Sequence, residues 1–248
     1  MSKGTRDHYV PQFYLSRWAE DDEKLARCEI IPHTRKLHWK RVSPKEIAFE
    51  HGLYGELEEA FFKPLDNDAS RLLQLLDSER CQRTVKFEIG HDNHRLWAKY
   101  LLAQMIRTPK NLSRLLDLYS MKGINKDIAI EQLPLVIENE KAMNDLRSFE
   151  WLIAGSECNR QLITCDYPLI FRPDDLGNER CVLILPLGPH SYFMATRRQN
   201  LSAIESDNRK MFGYINQEIM KNAKGRFFAS SKSSVNEGFI TKYFSNQS

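Results

Sequence analysis

The chain is sparing with the residues that dominate loose or fibrous sequences, holding 11 glycines and 10 prolines in 248 residues. Collagen-like, low-complexity and generally disordered classes are excluded, because 42% hydrophobic residues supply enough apolar surface to offset chain entropy. No apolar run reaches the roughly 18 residues that a membrane helix needs. The opening Met1–Val10 also lacks the apolar stretch of a secretory leader. These absences predict a cytoplasmic protein with no membrane partner. Charge of one sign is lacking too: 36 Lys+Arg against 33 Asp+Glu give +3 and a pI near 8.5, too mild to signal nucleic acid. The five cysteines, Cys28, Cys81, Cys158, Cys165 and Cys181, form no Cys-x-x-Cys pair. A zinc ribbon or disulfide scaffold is therefore not expected, and buried reduced thiols are. There is no Walker loop, Gly-x-Gly-x-x-Gly, Gly-x-Ser-x-Gly, His-Glu-x-x-His or kinase motif set. No nucleotide cofactor is indicated, and a divalent metal is left open.

What the sequence does have is clear patterning. Val10-Pro11-Gln12-Phe13-Tyr14-Leu15 reads as a loop running into a short helix with Pro11 near its first turn. Leu25–Ile31 and Lys36–Val42 flank the turn-prone Pro32-His33-Thr34-Arg35, the pattern of a β-hairpin. Ser43-Pro44-Lys45-Glu46 carries the cap, proline and acid of a helix start. From about Glu56 to Met143 the apolar residues recur at helical spacing, predicting four or five helices broken near Pro64, Gly90, Pro109, Gly123 and Pro134. After Phe149, short apolar runs at Trp151–Ala154, Gln161–Thr164, Cys181–Leu185 and Tyr192–Ala195 predict strands. Asn208–Lys224 then reads as a helix stopped by Gly225, with Arg226–Ser230 as a last strand. The expectation is an α+β fold: an N-terminal β-hairpin, a central helical bundle, and a C-terminal small sheet with one helix. One domain is expected, with residues 1–50, 51–148 and 149–248 completing a single core.

Charge is distributed unevenly. Lys24–Lys45 holds Lys24, Arg27, Arg35, Lys36, Lys40, Arg41 and Lys45 against Glu29, whereas residues 54–79 are mostly acidic. In the basic hairpin, Lys36, Lys40 and Arg41 could follow a phosphate backbone while Trp39 stacks on a base. The plainer alternative is a solvated edge hairpin whose cations discourage strand pairing. His8 and Gln12 flank an apolar turn; one reading makes His8 a general acid or base and Gln12 a substrate-holding amide, the other makes them helix-entrance residues. Asp166 closes an apolar strand, where it could orient His8 or simply bond its own turn. Arg107 ends an apolar helix before Pro109, and either holds an anion or complements the helix dipole. His91 and His94 lie three apart, with Cys81 as the nearest further ligand, too few for a metal centre.

Together, His8-Tyr9-Val10-Pro11-Gln12-Phe13-Tyr14-Leu15, the basic hairpin, Val42-Ser43-Pro44-Lys45, Arg107-Thr108-Pro109, Thr164-Cys165-Asp166-Tyr167-Pro168 and Asn216 resemble the mainly bacterial domain-of-unknown-function family 4238 over most of the chain. The resemblance implies a shared polar site made of His8, Gln12, Arg107, Asp166 and Asn216. Asp7 stands where that family usually has a first His, and Cys165 where it has Ser, which counts against a mechanism needing paired histidines. The opening also resembles the start of some His-Asn-His nuclease domains, but Phe13–Lys45 supplies His33 and His38 and no Asn. The expected function is a bacterial or phage-related hydrolase acting on a phosphodiester or nucleotide. In it His8 exchanges protons, Asp166 orients it or binds a metal, Arg107 holds an anion, and Gln12 with Asn216 positions substrate. The rivals are a non-catalytic nucleic-acid-binding or regulatory module and a protein-binding helical adaptor.

Overall fold

A computed structural model of the chain describes residues 5–31, 33–34, 36–78, 85–86, 89–155, 161–201, 208–223, 225–234 and 240. Cys81, Cys158, Pro32, Arg35, Lys224 and the last eight residues, on which parts of the sequence reading fall, lie outside them. The fold is α+β, as the patterning predicts.

The N-terminal strand β1 (Arg6–His8) pairs antiparallel with β4 (Phe49–His51), His8 opposite Phe49. Just before β4, Ala48 adopts φ +54°, which turns its carbonyl to accept from the N–H groups of Tyr9 and Val10. Between these strands comes α1 (Gln12–Leu15), prolonged by a single 3-10 turn over Ser16–Trp18. Tyr14, Leu15 and Trp18 are fully buried. Two of them reach far along the chain: the Trp18 indole donates to the Leu162 carbonyl at 2.9 Å, and the Tyr14 hydroxyl bonds Thr164 Oγ1 at 3.0 Å. The hairpin forms as β2 (Leu25–Ile30) and β3 (Leu37–Val42). Ser43-Pro44-Lys45-Glu46 makes only one 3-10 turn, because Ile47 returns to extended backbone directly after it.

The central region runs from a π-turn at Glu58–Phe62 directly into α2 (Lys63–Ser78), so that Pro64 follows the π-turn without ending the helix. Next come α3 (His91–Ile106), α4 (Pro109–Ser120), α5 (Lys126–Glu131), α6 (Leu133–Ile137) and α7 (Glu140–Arg147). Gly123 at φ +75° and the side-chain caps of Asn125 and Asn139 cut the last part into more and shorter helices than the apolar spacing predicts. Hidden in this region is a short strand, β5 (Val85–Lys86).

β5 edges a five-stranded sheet of order β5-β6-β10-β9-β8, built from β6 (Glu150–Gly155), β8 (Ile170–Arg172), β9 (Val182–Gly188) and β10 (Ser191–Thr196). Its central strands are apolar at consecutive positions because both faces are covered. Trp151, Ile153, Leu183, Leu185, Phe193 and Ala195 join the core shared with the helices. Leu152, Ala154, Ile184, Tyr192 and Met194 face a second core, which also takes in Phe212, Ile215 and Ile219 of α8 (Asn208–Asn222). The last strand, β11 (Arg226–Ala229), does not join that sheet. It pairs with β2 of the hairpin on one side and with β7 (Thr164–Cys165) on the other, giving a four-stranded sheet of order β3-β2-β11-β7. The C-terminal segment therefore contributes strands to two sheets. Gly225, at φ +92°, makes the turn between α8 and β11. Among the described residues no helix is long and apolar enough to cross a membrane.

Candidate functional site

Burying a charge requires a partner, and the opening motif is surrounded by buried charges. Asp7 and His8 end β1 with little or no exposed surface. The Asp7 carboxylate accepts from the backbone N–H of Tyr54 at 2.9 Å and from the Thr5 hydroxyl at 2.9 Å, which fixes β1 against the chain leading to α2. Arg107, at the end of α3, is wholly buried. Its guanidinium makes two bonds to the Asp66 carboxylate, at 2.7 and 3.0 Å, and a third to the His8 carbonyl at 2.5 Å. The Tyr54 hydroxyl donates to the Arg107 carbonyl. Arg107 thus holds His8 by its backbone and is itself held from two sides; all three of its bonds go to protein groups.

In front of this scaffold lies a cleft of about 570 Å³ lined by His8, Gln12, Glu58 and Asp66, with exposed Arg6, Lys45 and Lys63 at its rim. The Gln12 amide, at the start of α1, lies 3.3 Å from His8 Nδ1 at the end of β1. Nε2 of His8 is buried with no hydrogen bond of normal geometry. Burial drives the imidazole down to about 4, with the Lys45 backbone carbonyl opposing and Arg107 assisting, so His8 is neutral near pH 7. Glu58, on the π-turn, is 4% exposed and its Oε2 also lacks a partner. Burial pushes its carboxyl up to about 7, with Arg107 pulling the other way and Asp7 and Asp66 adding to the rise.

Asp166 follows β7 and does not line this cleft or bond His8. It accepts from the Tyr9 hydroxyl at 3.2 Å and from Arg226 Nε at 2.7 Å, while the Arg226 guanidinium also reaches that hydroxyl at 3.4 Å. Burial raises the Asp166 carboxyl and Arg226 holds it back. Tyr9, the residue after β1, meets Asp166 in place of His8, so the carboxylate does not orient the imidazole. Asn216 on α8 is spent on the backbone: its Oδ1 accepts from the Ile163 N–H at 3.0 Å, and its Nδ2 donates to the Gln161 carbonyl at 2.9 Å. These bonds brace residues 161–163, which the apolar run Gln161–Thr164 predicts as strand but which precede the short β7 without joining a sheet.

The hairpin separates the remaining residues by face. Lys36 and Lys40 are exposed with His38, whereas Trp39 turns inward to meet Phe227 edge-on, centroids 5.6 Å apart. Arg41 bonds Asp22 and Glu20 and donates to the Ser230 carbonyl at 2.6 Å. Of the four hairpin residues singled out by the sequence, two are committed to the fold. His94 stacks on Trp151 at 3.6 Å, and burial lowers it to about 4. Among the described residues no group of three or more His, Cys, Asp or Glu is arranged to hold a metal ion. Cys28, Cys165 and Cys181 are buried and form no disulfide, and burial raises Cys165 far above the ordinary thiol range.

The model of the family described as a protein of unknown function, DUF4238, matches residues 6–234. The chain belongs to the DUF4238 family. No curated protein and no solved structure matches it. In this DUF4238 protein the match encloses His8, Gln12, Arg107, Asp166, Asn216 and Arg226, but the fold divides them between the cleft and two separate braces. The sequence reading passed over Glu58 and Asp66, which it took as part of an acidic stretch. A signal was present: Glu58 and Asp66 stand in the apolar helical stripe that contains Phe62, Leu65, Ala69, Leu72 and Leu73. A carboxylate inside such a stripe demands a buried partner.

Proposed function

We propose that this DUF4238 protein is a hydrolase of small anionic phosphodiester or nucleotide substrates, and that its reacting groups are His8 and Glu58 rather than His8 and Asp166. One observation carries the reading: an imidazole that stays neutral and a carboxyl shifted to about 7, whose Oε2 is buried without a partner, line the same cleft beneath three exposed cations. Perturbed titrating groups gathered in a cleft are a recurrent mark of acid–base chemistry. Arg6, Lys45 and Lys63 would neutralise the phosphoryl oxygens of a bound substrate. Gln12 would yield His8 Nδ1 to a water, from which the imidazole takes a proton as the water attacks phosphorus. Glu58, still substantially protonated near pH 6, would give its proton to the departing alkoxide oxygen, so that charge balances across the step. Arg107 and Asp66 are positioning residues that fix the His8 backbone.

The test uses the purified full chain with bis(p-nitrophenyl) phosphate, p-nitrophenyl phosphate and p-nitrophenyl acetate. The diester should be cleaved, with a rate that rises as His8 loses its proton near pH 4 and falls as Glu58 loses its own near pH 7. His8→Ala and Glu58→Gln should each lower kcat by about 10²–10⁴-fold, and Lys45→Ala with Lys63→Ala should raise KM. Absence of diester turnover, or turnover indifferent to both His8→Ala and Glu58→Gln, would overturn the reading.

A further inference from the structure

A second cleft, of about 300 Å³, opens where the α3–α4 corner meets β8 and the end of α8. Its floor contains Gln104 and Thr108, 2% and 1% exposed. Both polar atoms of the Gln104 amide and the Thr108 hydroxyl are buried with no hydrogen-bond partner. Leaving such groups unpaired costs about 1–3 kcal/mol each, so they are unusual for a core and ordinary for the floor of a binding site. Thr108 is also the N-cap residue just before α4, yet its side chain makes no cap bond to that helix. Lys110 and Arg114 line the walls with Arg172 and Lys221, the latter two ion-paired to Glu218 behind them, and with one acid, Asp174; the aromatic rings of Tyr167 and Phe171 complete them. The walls are preformed: the Asn222 amide donates to the carbonyls of Tyr167 and Leu169, and the Arg172 guanidinium donates to Asn222 Oδ1 at 3.2 Å.

The geometry points to a binding site in this cleft for a nucleoside monophosphate, distinct from the His8 cleft and independent of whether that cleft is catalytic. The cations call for a compact anion. An amide with donor and acceptor both unused matches an edge that offers an adjacent acceptor and donor, as nucleobases do. Phe171 and Tyr167 supply rings against which a planar base stacks. The volume stands at the lower bound for small-molecule sites, which suits one nucleotide and excludes a polymer. Thr108 at the start of α4 places a hydroxyl donor where the helix dipole favours negative charge.

Calorimetric titration of the full chain with the 5′-monophosphates of adenosine, guanosine, cytidine and uridine tests this, with inorganic phosphate and the free nucleosides as controls. At least one nucleotide should bind saturably, at least tenfold tighter than phosphate or its own nucleoside. Gln104→Met, which keeps the volume while removing the unpaired amide, should raise Tm and weaken that nucleotide at least tenfold. Arg114→Glu should weaken it similarly without lowering Tm. Lys45→Ala and Lys63→Ala, in the other cleft, should leave the affinity unchanged. The proposal fails if no nucleotide binds, if phosphate binds equally well, if Gln104→Met and Arg114→Glu bind as wild type does, or if the binding is lost with Lys45 and Lys63 instead.

Discussion

Replacing Arg107 by Met distinguishes a scaffold arginine from a substrate-holding one. In the folded protein the guanidinium is fully buried, with two bonds to Asp66 and one to the His8 carbonyl. Its removal strands the Asp66 carboxylate, whose burial already raises its pKa and which only Arg107 draws back down. Breaking a buried pair from one side costs about 3–5 kcal/mol. The orphaned His8 carbonyl adds about 1–3 kcal/mol, and protonation of Asp66 returns part of the total, so a net loss of about 4 kcal/mol is expected. For a chain of this size that is a fall of roughly 8–16 °C in Tm. Urea titration of wild type, Arg107→Met, Asp66→Leu and the double variant forms a cycle. The double variant should recover at least about 2 kcal/mol of the sum of the singles, because two apolar side chains leave no stranded charge. A loss below about 1 kcal/mol in Arg107→Met, or strict additivity in the cycle, would refute the scaffold role. An unchanged Tm with a raised KM would instead give Arg107 to the substrate.

Stability should also respond to pH through Glu58. Its folded pKa, about 7, is above the ordinary 4.5, so its contribution is fully present below 4.5 and is lost as pH rises through 7, roughly 3 kcal/mol in all. Glu58→Gln should abolish that slope in urea titrations between pH 4.5 and 8, and an identical slope in the variant would disprove the assignment. His8 acts oppositely: its pKa is depressed from 6.5 to about 4, so its contribution is complete above 6.5 and disappears as pH falls through 4. Asp166→Ala and Asn216→Ala should each lower stability by about 1–3 kcal/mol through stranded partners; an Asp166→Ala protein with unaltered Tm and lost turnover would restore Asp166 to the chemistry. Arg41→Gln should lower Tm, whereas Lys36→Gln with Lys40→Gln should leave it within about 0.5 kcal/mol, and the reverse order would contradict the placement of the hairpin faces.

The amino-acid sequence by itself determined the hairpin, the apolar strands after Phe149, the helix stopped by Gly225 and the last strand after it. Each depends on period, cap or turn chemistry within a few residues, and such local preferences act wherever the segment is placed. It also singled out His8 and Gln12 as flanking the turn into α1, and folding brings the two side chains within 3.3 Å. Partner choice was decided only in three dimensions. Asp66 finds Arg107 across 41 residues and Asp166 finds Tyr9, next to His8, across 157. Which strand β11 joins was equally undecided by its own residues, since an apolar strand buried on both faces accepts any apolar neighbour. The tertiary structure chose β2 and β7, because Trp39 and Phe227 meet edge to face there and α8 closes the core behind them. Glu58 became a candidate for chemistry for the same reason. Its type and position are local, but the burial that moves its pKa is made by residues distant in sequence, and only folding brings them together.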